Sequence, residues 1–264
     1  MNDSRSVEPV DEPTGRVIVT ARGVTKVFTE GKVSVPALRG IDLEIREGEF
    51  IALVGPSGSG KTTLLNLIGA LDAPTEGDLV VLGRRIGELA KAERAELRLR
   101  SLGFVFQAFN LVPVLTALEN VEFVLELQGA GDARGERALA ALRELGLADL
   151  AHRRPNELSG GQQQRVAVAR AVASRPKLVL ADEPTANLDG ENAEILMHLM
   201  RDLRAAHRMT FLFSTHDPRV VAHAERVITL VDGRVSRDEV KQPEPPHPIV
   251  PGIGHPRAPG PMRW

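Results

Sequence analysis

The chain has 264 residues, 42% of them apolar, with 33 Lys+Arg against 35 Asp+Glu and a net charge of −2. That length suits one α/β core with an attached subdomain, and the balanced charge gives no electrostatic reason to expect nucleic acid as a partner. The absence of cysteine excludes disulfides, thiolate zinc sites and cysteine nucleophiles.

Residues 1–15 (MNDSRSVEPVDEPTG) are polar and mildly acidic. They are expected to form a disordered tail and lack the basic-then-apolar pattern of a signal peptide. Residues 17–54 alternate apolar and polar types, with turn signals at Gly23, Glu30-Gly31 and Glu47-Gly48-Glu49, which predicts an antiparallel β layer. It ends in a short apolar run, Phe50–Val54, as expected of a buried parallel strand, and residues 62–71 read as the helix that follows. Between them stands GPSGSGKT, made of Gly55, Pro56, Ser57, Gly58, Ser59, Gly60, Lys61 and Thr62. Glycines at such a junction let backbone N–H groups turn inward around phosphate oxygens, and the helix start adds partial positive charge. Lys61 would then reach the β- and γ-phosphates, the Thr62 hydroxyl would bind Mg²⁺, and Thr63 completes the set of nucleotide contacts.

Residues 88–172 are expected to be helix-rich. Thr116-Ala117-Leu118-Glu119 matches a capping box, and Ala138, Leu139, Leu142 and Leu145 form one face of a helix that Gly146 would stop. Near the end of this stretch comes LSGGQ, Leu158 to Gln162, followed by a helix-compatible run over 163–173. Ser159, Gly160, Gly161 and Gln162 thereby present a hydroxyl and backbone donors suited to a phosphate.

At 178–183 (LVLADE) an apolar strand ends in two carboxylates, and strand ends are where α/β sheets bind ligands. Asp182 would hold Mg²⁺, while Glu183, on the opposite side of the strand, would orient or deprotonate the water that attacks the γ-phosphate. Residues 191–207 read as a helix with apolar Ile195, Leu199 and Leu203, and Thr210–Ser214 as a further strand. His216 follows that strand, where an imidazole can steady the γ-phosphate and the attacking water. The segment 241–264 holds eight of the 18 prolines and is expected to be disordered. No apolar run approaches the roughly 20 residues of a membrane-spanning helix.

These motifs, in this order, resemble the nucleotide-binding subunits of ABC transporters over about residues 17–235. The resemblance implies a P-loop NTPase fold: a parallel sheet core, an antiparallel β layer, and an inserted α-helical subdomain at about 88–172 within an ATPase domain spanning 16–240. It identifies 55–62 with the Walker A loop, 158–162 with the signature, Asp182 and Glu183 with the Walker B pair, Asn187-Leu188-Asp189 with the D-loop, and His216 with the switch histidine. Gln107 takes the place of the Q-loop glutamine, a nucleotide contact and Mg²⁺ ligand. Phe28 stands where the family usually has an adenine-stacking tyrosine, a type this chain lacks.

The resemblance further implies ATP and Mg²⁺ as cofactors and an ATP-dependent head-to-tail homodimer in which each signature closes over the partner's ATP. A separate transmembrane permease and a peripheral place on the cytoplasmic face of the cell membrane follow from the same likeness. The wording around GFVFQ and LSGGQQQRVAVARA is most similar to the lipoprotein-release and macrolide-efflux branch. The alternative is a division- or envelope-regulating ATPase that couples to a membrane protein without moving substrate. Translation-type and chromosome-type members fit less well: the motifs occur once, and Lys61 and Leu158 stand only 97 positions apart.

Overall fold

The computed structural model describes residues 15–31 and 33–241. The expectations for 1–15 and 241–264 therefore lie outside the described residues, except at Gly15 and Lys241. Both belong to the fold's edge: the Gly15 carbonyl accepts from the Arg46 guanidinium, and Lys241 donates through its backbone N–H to Glu225 and through Nζ to the Val221 carbonyl.

Two sheets share one helix between them. In the first, β1 (Val17–Glu30) lies antiparallel between β2 (Val33–Arg46) and β4 (Glu76–Val81), with the short β5 (Arg84–Arg85) at the edge. In the second, β3 (Phe50–Val54), β8 (Thr210–Ser214), β7 (Leu178–Asp182) and β6 (Leu102–Val105) run parallel. On the other side of β3 come β9 (Arg226–Val231), also parallel, and the antiparallel β10 (Arg234–Val240).

Side-chain alternation along these strands divides the interior in two. Phe50 and Ala52 of β3, Val179 and Ala181 of β7, and Phe211 and Phe213 of β8 point to one core. Ile51 and Leu53, Leu178 and Leu180, and Leu212 point to the other. A strand buried on both faces needs apolar residues at every position, which is why FIALV and LVLA are continuous runs. The second core is filled by Leu64, Leu65, Leu67 and Ile68 of α1 (Lys61–Ile68) and by the inner face of the antiparallel sheet. The first is covered by α3 (Ala117–Leu127), α4 (Arg134–Glu144), α5 (Gly160–Val172) and α6 (Gly190–His207).

Local sequence signals explain several boundaries. Thr116 caps α3 by accepting from the Glu119 N–H while the Glu119 carboxylate accepts from the Thr116 N–H, the reciprocal pairing the spacing predicts. Leu145 and Gly146 end α4, Gly146 with φ of 66°. Elsewhere tertiary structure differs from the pattern. The helix-rich stretch contains α2 (Lys91–Ser101), but also β6, an edge strand of the parallel sheet. Along α6 the buried stripe is Ala193, Leu196, Met197, Met200 and Leu203, whereas Ile195 is exposed and Leu199 only partly buried. Spacings of three and four from 193 give the stripe, and the apolar residues at 195 and 199 flank it.

Candidate active site

The loop from Gly55 to Gly60 joins β3 to α1 and is shaped by contacts that exclude side chains. A Cβ on Gly55, whose φ is 150°, would lie 2.1 Å from the Leu230 carbonyl oxygen; one on Gly60, with φ of 102°, would lie 2.7 Å from that of Ala37. Glycine is thus required at both positions by close backbone approach as well as by conformation. Lys61 Nζ folds back to donate to the Gly55 and Pro56 carbonyls at 2.8 and 3.1 Å.

The end of β7 is tied to this loop and to β8 by a chain of hydrogen bonds. The Thr62 hydroxyl donates to Asp182 Oδ2 at 2.9 Å, and the fully buried Ser214 hydroxyl donates to Asp182 Oδ1 at 2.6 Å. Ser214 Oγ also accepts the Glu183 N–H at 2.9 Å, and His216 Nδ1–H donates to Glu183 Oε1 at 2.9 Å. Glu183 does not continue the strand: its φ is 47°, so the backbone turns left-handed where the sequence pattern places a strand residue on the opposite side from Asp182. A non-glycine residue in that region carries strain of about 1–3 kcal/mol, held by its surroundings. Here the Ser214 bond to its N–H supplies the restraint.

Apart from the buried Ser214, these groups line a cavity of about 590 Å³, formed by Ala37, Gly55–Gly58, Gly60–Thr63, Gln107, Asp182, Glu183 and His216. Ala37, delivered by β2, carries no sequence signal for such a place. Ser59 is absent from the lining because its side chain is buried, where it finds no hydrogen-bond partner among the described residues. Phe28 does not line it either; it sits on β1, 47% exposed, with Lys26 Nζ 5.2 Å from its ring centroid.

Residues 159–162, at the start of α5, are not among the residues that line this cavity. Ser159 caps α5, accepting the Gln162 N–H at 3.3 Å and donating its own N–H to Gln162 Oε1 at 2.8 Å. A Cβ on Gly161 would fall 2.6 Å from Asn192 Oδ1, so α5 and α6 approach through glycine. Asp189 caps α6, and its bonds from the Asn192 backbone N–H and side-chain amide hold its carboxyl below the usual carboxylate range. Asn187 Nδ2 donates to the Gln107 carbonyl at 2.8 Å, joining two segments that spacing alone cannot connect. After Gln107, the Arg170 guanidinium donates to the Phe109 and Asn110 carbonyls, and buried Asn120 holds Val112, Leu115 and Thr116 through their backbones. Phe109, Leu111 and Leu115 are half-buried, while Val112 and Val114 face solvent.

A profile of the ABC transporter family matches residues 38–186, more than half the chain. The chain belongs to this family. It is 45% identical over 227 residues to an uncharacterized ABC transporter ATP-binding protein of Methanocaldococcus jannaschii, covering 84% of this chain and 97% of that one. To a lipoprotein-releasing system ATP-binding protein of Anaeromyxobacter dehalogenans it is 48% identical over 234 residues, 88% of this chain and 96% of the other. A solved dimeric ATP-binding cassette in a post-hydrolysis state, bound to ADP and Pi, superposes with a TM-score of 0.79 at 44% identity, covering 86% of this chain and 100% of that one. The cassette is an ATP-binding ATPase with the P-loop fold, of the branch that includes the lipoprotein-releasing relatives. Among the described residues no helix is long and apolar enough to cross a membrane.

Proposed function

We propose that the cassette powers a separate transmembrane permease by hydrolysing ATP at two composite sites of a head-to-tail homodimer. The observation that carries this reading is the division of the motifs. Lys61, Asp182, Glu183 and His216 meet in one cavity, while Ser159, Gly160, Gly161 and Gln162 at the start of α5, and Asp189, lie outside it. A second copy is what would bring a signature to the cavity, and the solved neighbour is dimeric.

Within a site, the Gly55–Gly60 backbone and Lys61 would cradle the phosphates. The oxygen donors of Thr62, Asp182 and Gln107 are the hard-ligand set that suits Mg²⁺, which when bound neutralises phosphate charge. Glu183 would take the proton of the attacking water, and His216, hydrogen-bonded to it, would orient both the carboxylate and the γ-phosphate. Ser159 and the α5 N-terminus would stabilise transferring charge from the partner. Phe28 would face the base. Exposed Val112 and Val114, in a loop pinned by Arg170 and Asn120, fit a surface for a permease helix at the cytoplasmic face of the membrane. The relatives named for lipoprotein release favour transport over a regulator that moves no substrate.

Subunit mixing tests the composite site. Lys61→Ala and Ser159→Arg chains are each expected to be inactive alone. Their heterodimer has one doubly defective and one intact site, so partial ATPase activity should return. Heterodimers that form, hold ATP at one site and remain inactive would show that both sites must fire together; failure to hold ATP between subunits would overturn the shared site.

A further inference from the structure

Outside the nucleotide cavity, one cluster has the chemistry of a transition-metal site. Glu194 and His198 occupy positions i and i+4 of α6, hence one face of the helix. His223 follows α7 (Pro218–Ala222) and packs against that face. Its Nε2 is 2.7 Å from Glu194 Oε2, its ring meets that of His198 edge-on at 5.1 Å between centroids, and one ligand atom from each of the three lies within 4.8 Å of the others.

We propose that Glu194, His198 and His223 bind a divalent transition metal of the Zn²⁺ class, with water completing the coordination. Two imidazoles and one carboxylate favour Zn²⁺, Cu²⁺ or Ni²⁺ over Mg²⁺ or Ca²⁺, which prefer all-oxygen sets. Bonds of about 2.0–2.1 Å place tetrahedral ligand atoms about 3.4 Å apart. The cluster reaches that spacing by small rotations of the accessible Glu194 and His198, while His223, with its side chain 10% exposed, is held in place. Arg201 and Arg219 lie near enough to act on His223 and Glu194, and their charge opposes a cation. Asp217 partly offsets Arg219 through a 2.7 Å ion pair. The expected affinity is therefore micromolar rather than that of a closed structural zinc site.

The position gives such a metal a consequence. Asp189 caps the start of α6, and His216 immediately precedes Asp217, the cap of α7. A metal joining Glu194 and His198 to His223 ties the helix led by the D-loop to the segment led by the switch histidine. Its occupancy restrains their relative motion and slows turnover. That consequence rests on the ATPase reading above; metal binding itself does not.

The test uses the full chain, stripped with EDTA and free of nucleotide, titrated calorimetrically with Zn²⁺ and spectroscopically with Co²⁺. The parent is expected to bind one equivalent with tetrahedral Co²⁺ absorption, and Zn²⁺ should raise its unfolding temperature. H198Q and E194Q, at accessible positions, are expected to weaken binding at least about tenfold, the scale of one lost ligand. H216A is expected to keep the equivalent, and micromolar Zn²⁺ should slow the parent's ATPase but not that of H198Q. Equal binding by parent and H198Q, or loss of the equivalent in H216A, would overturn the site. Normal binding without an effect on turnover would overturn only the regulatory consequence.

Discussion

Ser214→Ala removes a single oxygen yet should disturb both carboxylate residues at the end of β7, Asp182 and Glu183. That oxygen donates to Asp182 at 2.6 Å and accepts the Glu183 N–H at 2.9 Å, in a side chain with no exposure. Losing a hydrogen bond to a charged acceptor costs about 1.5–3 kcal/mol, and leaving a shielded N–H unpaired costs about 1–3 kcal/mol more. Asp182 keeps Thr62 and some contact with water, so the lower half of the combined range applies, about 3 kcal/mol. For a domain of this size that corresponds to a fall of roughly 6–12 °C in unfolding temperature. Glu183 also loses the bond that restrains its left-handed backbone, so ATPase activity should drop about ten- to hundredfold. Denaturant unfolding without nucleotide gives the first number and steady-state phosphate release the second. A variant within about 0.5 kcal/mol of the parent and equally active would refute the claim that Ser214 organises the site.

Two further outcomes follow from the same geometry. Glu183→Gln should retain ATP and accumulate a stable dimer in gel filtration while turnover falls by about two to four orders of magnitude; turnover near the parent rate would remove Glu183 from water activation. Gly55→Ala should abolish ATP binding in equilibrium dialysis, because the added methyl sits 2.1 Å from the Leu230 carbonyl oxygen, and retained affinity would show that the loop tolerates displacement from β9.

The sequence by itself determined the loop of residues 55–60, the strands Phe50–Val54 and Thr210–Ser214, the strand that starts at Leu178 though not its end before Glu183, the cap at Thr116 and the stop at Gly146. Each depends on neighbours within a few residues: glycine's access to positive φ, unbroken apolar runs, or a hydroxyl three positions before a glutamate. The order of strands was decided only in three dimensions. It puts β8 beside β7, so that Ser214 reaches Asp182 across 32 residues, and it brings Ala37 to the loop from a different sheet. The turn at Glu183, the bond from Asn187 to Gln107, and the meeting of Glu194 and His198 with His223 share that origin. The α6 face shows the same limit: an apolar count along one helix does not say which side its neighbours cover. Periodicity and propensity act along the chain, whereas these contacts exist only after distant segments pack, and a polar side chain carries no local mark of the partner it will find.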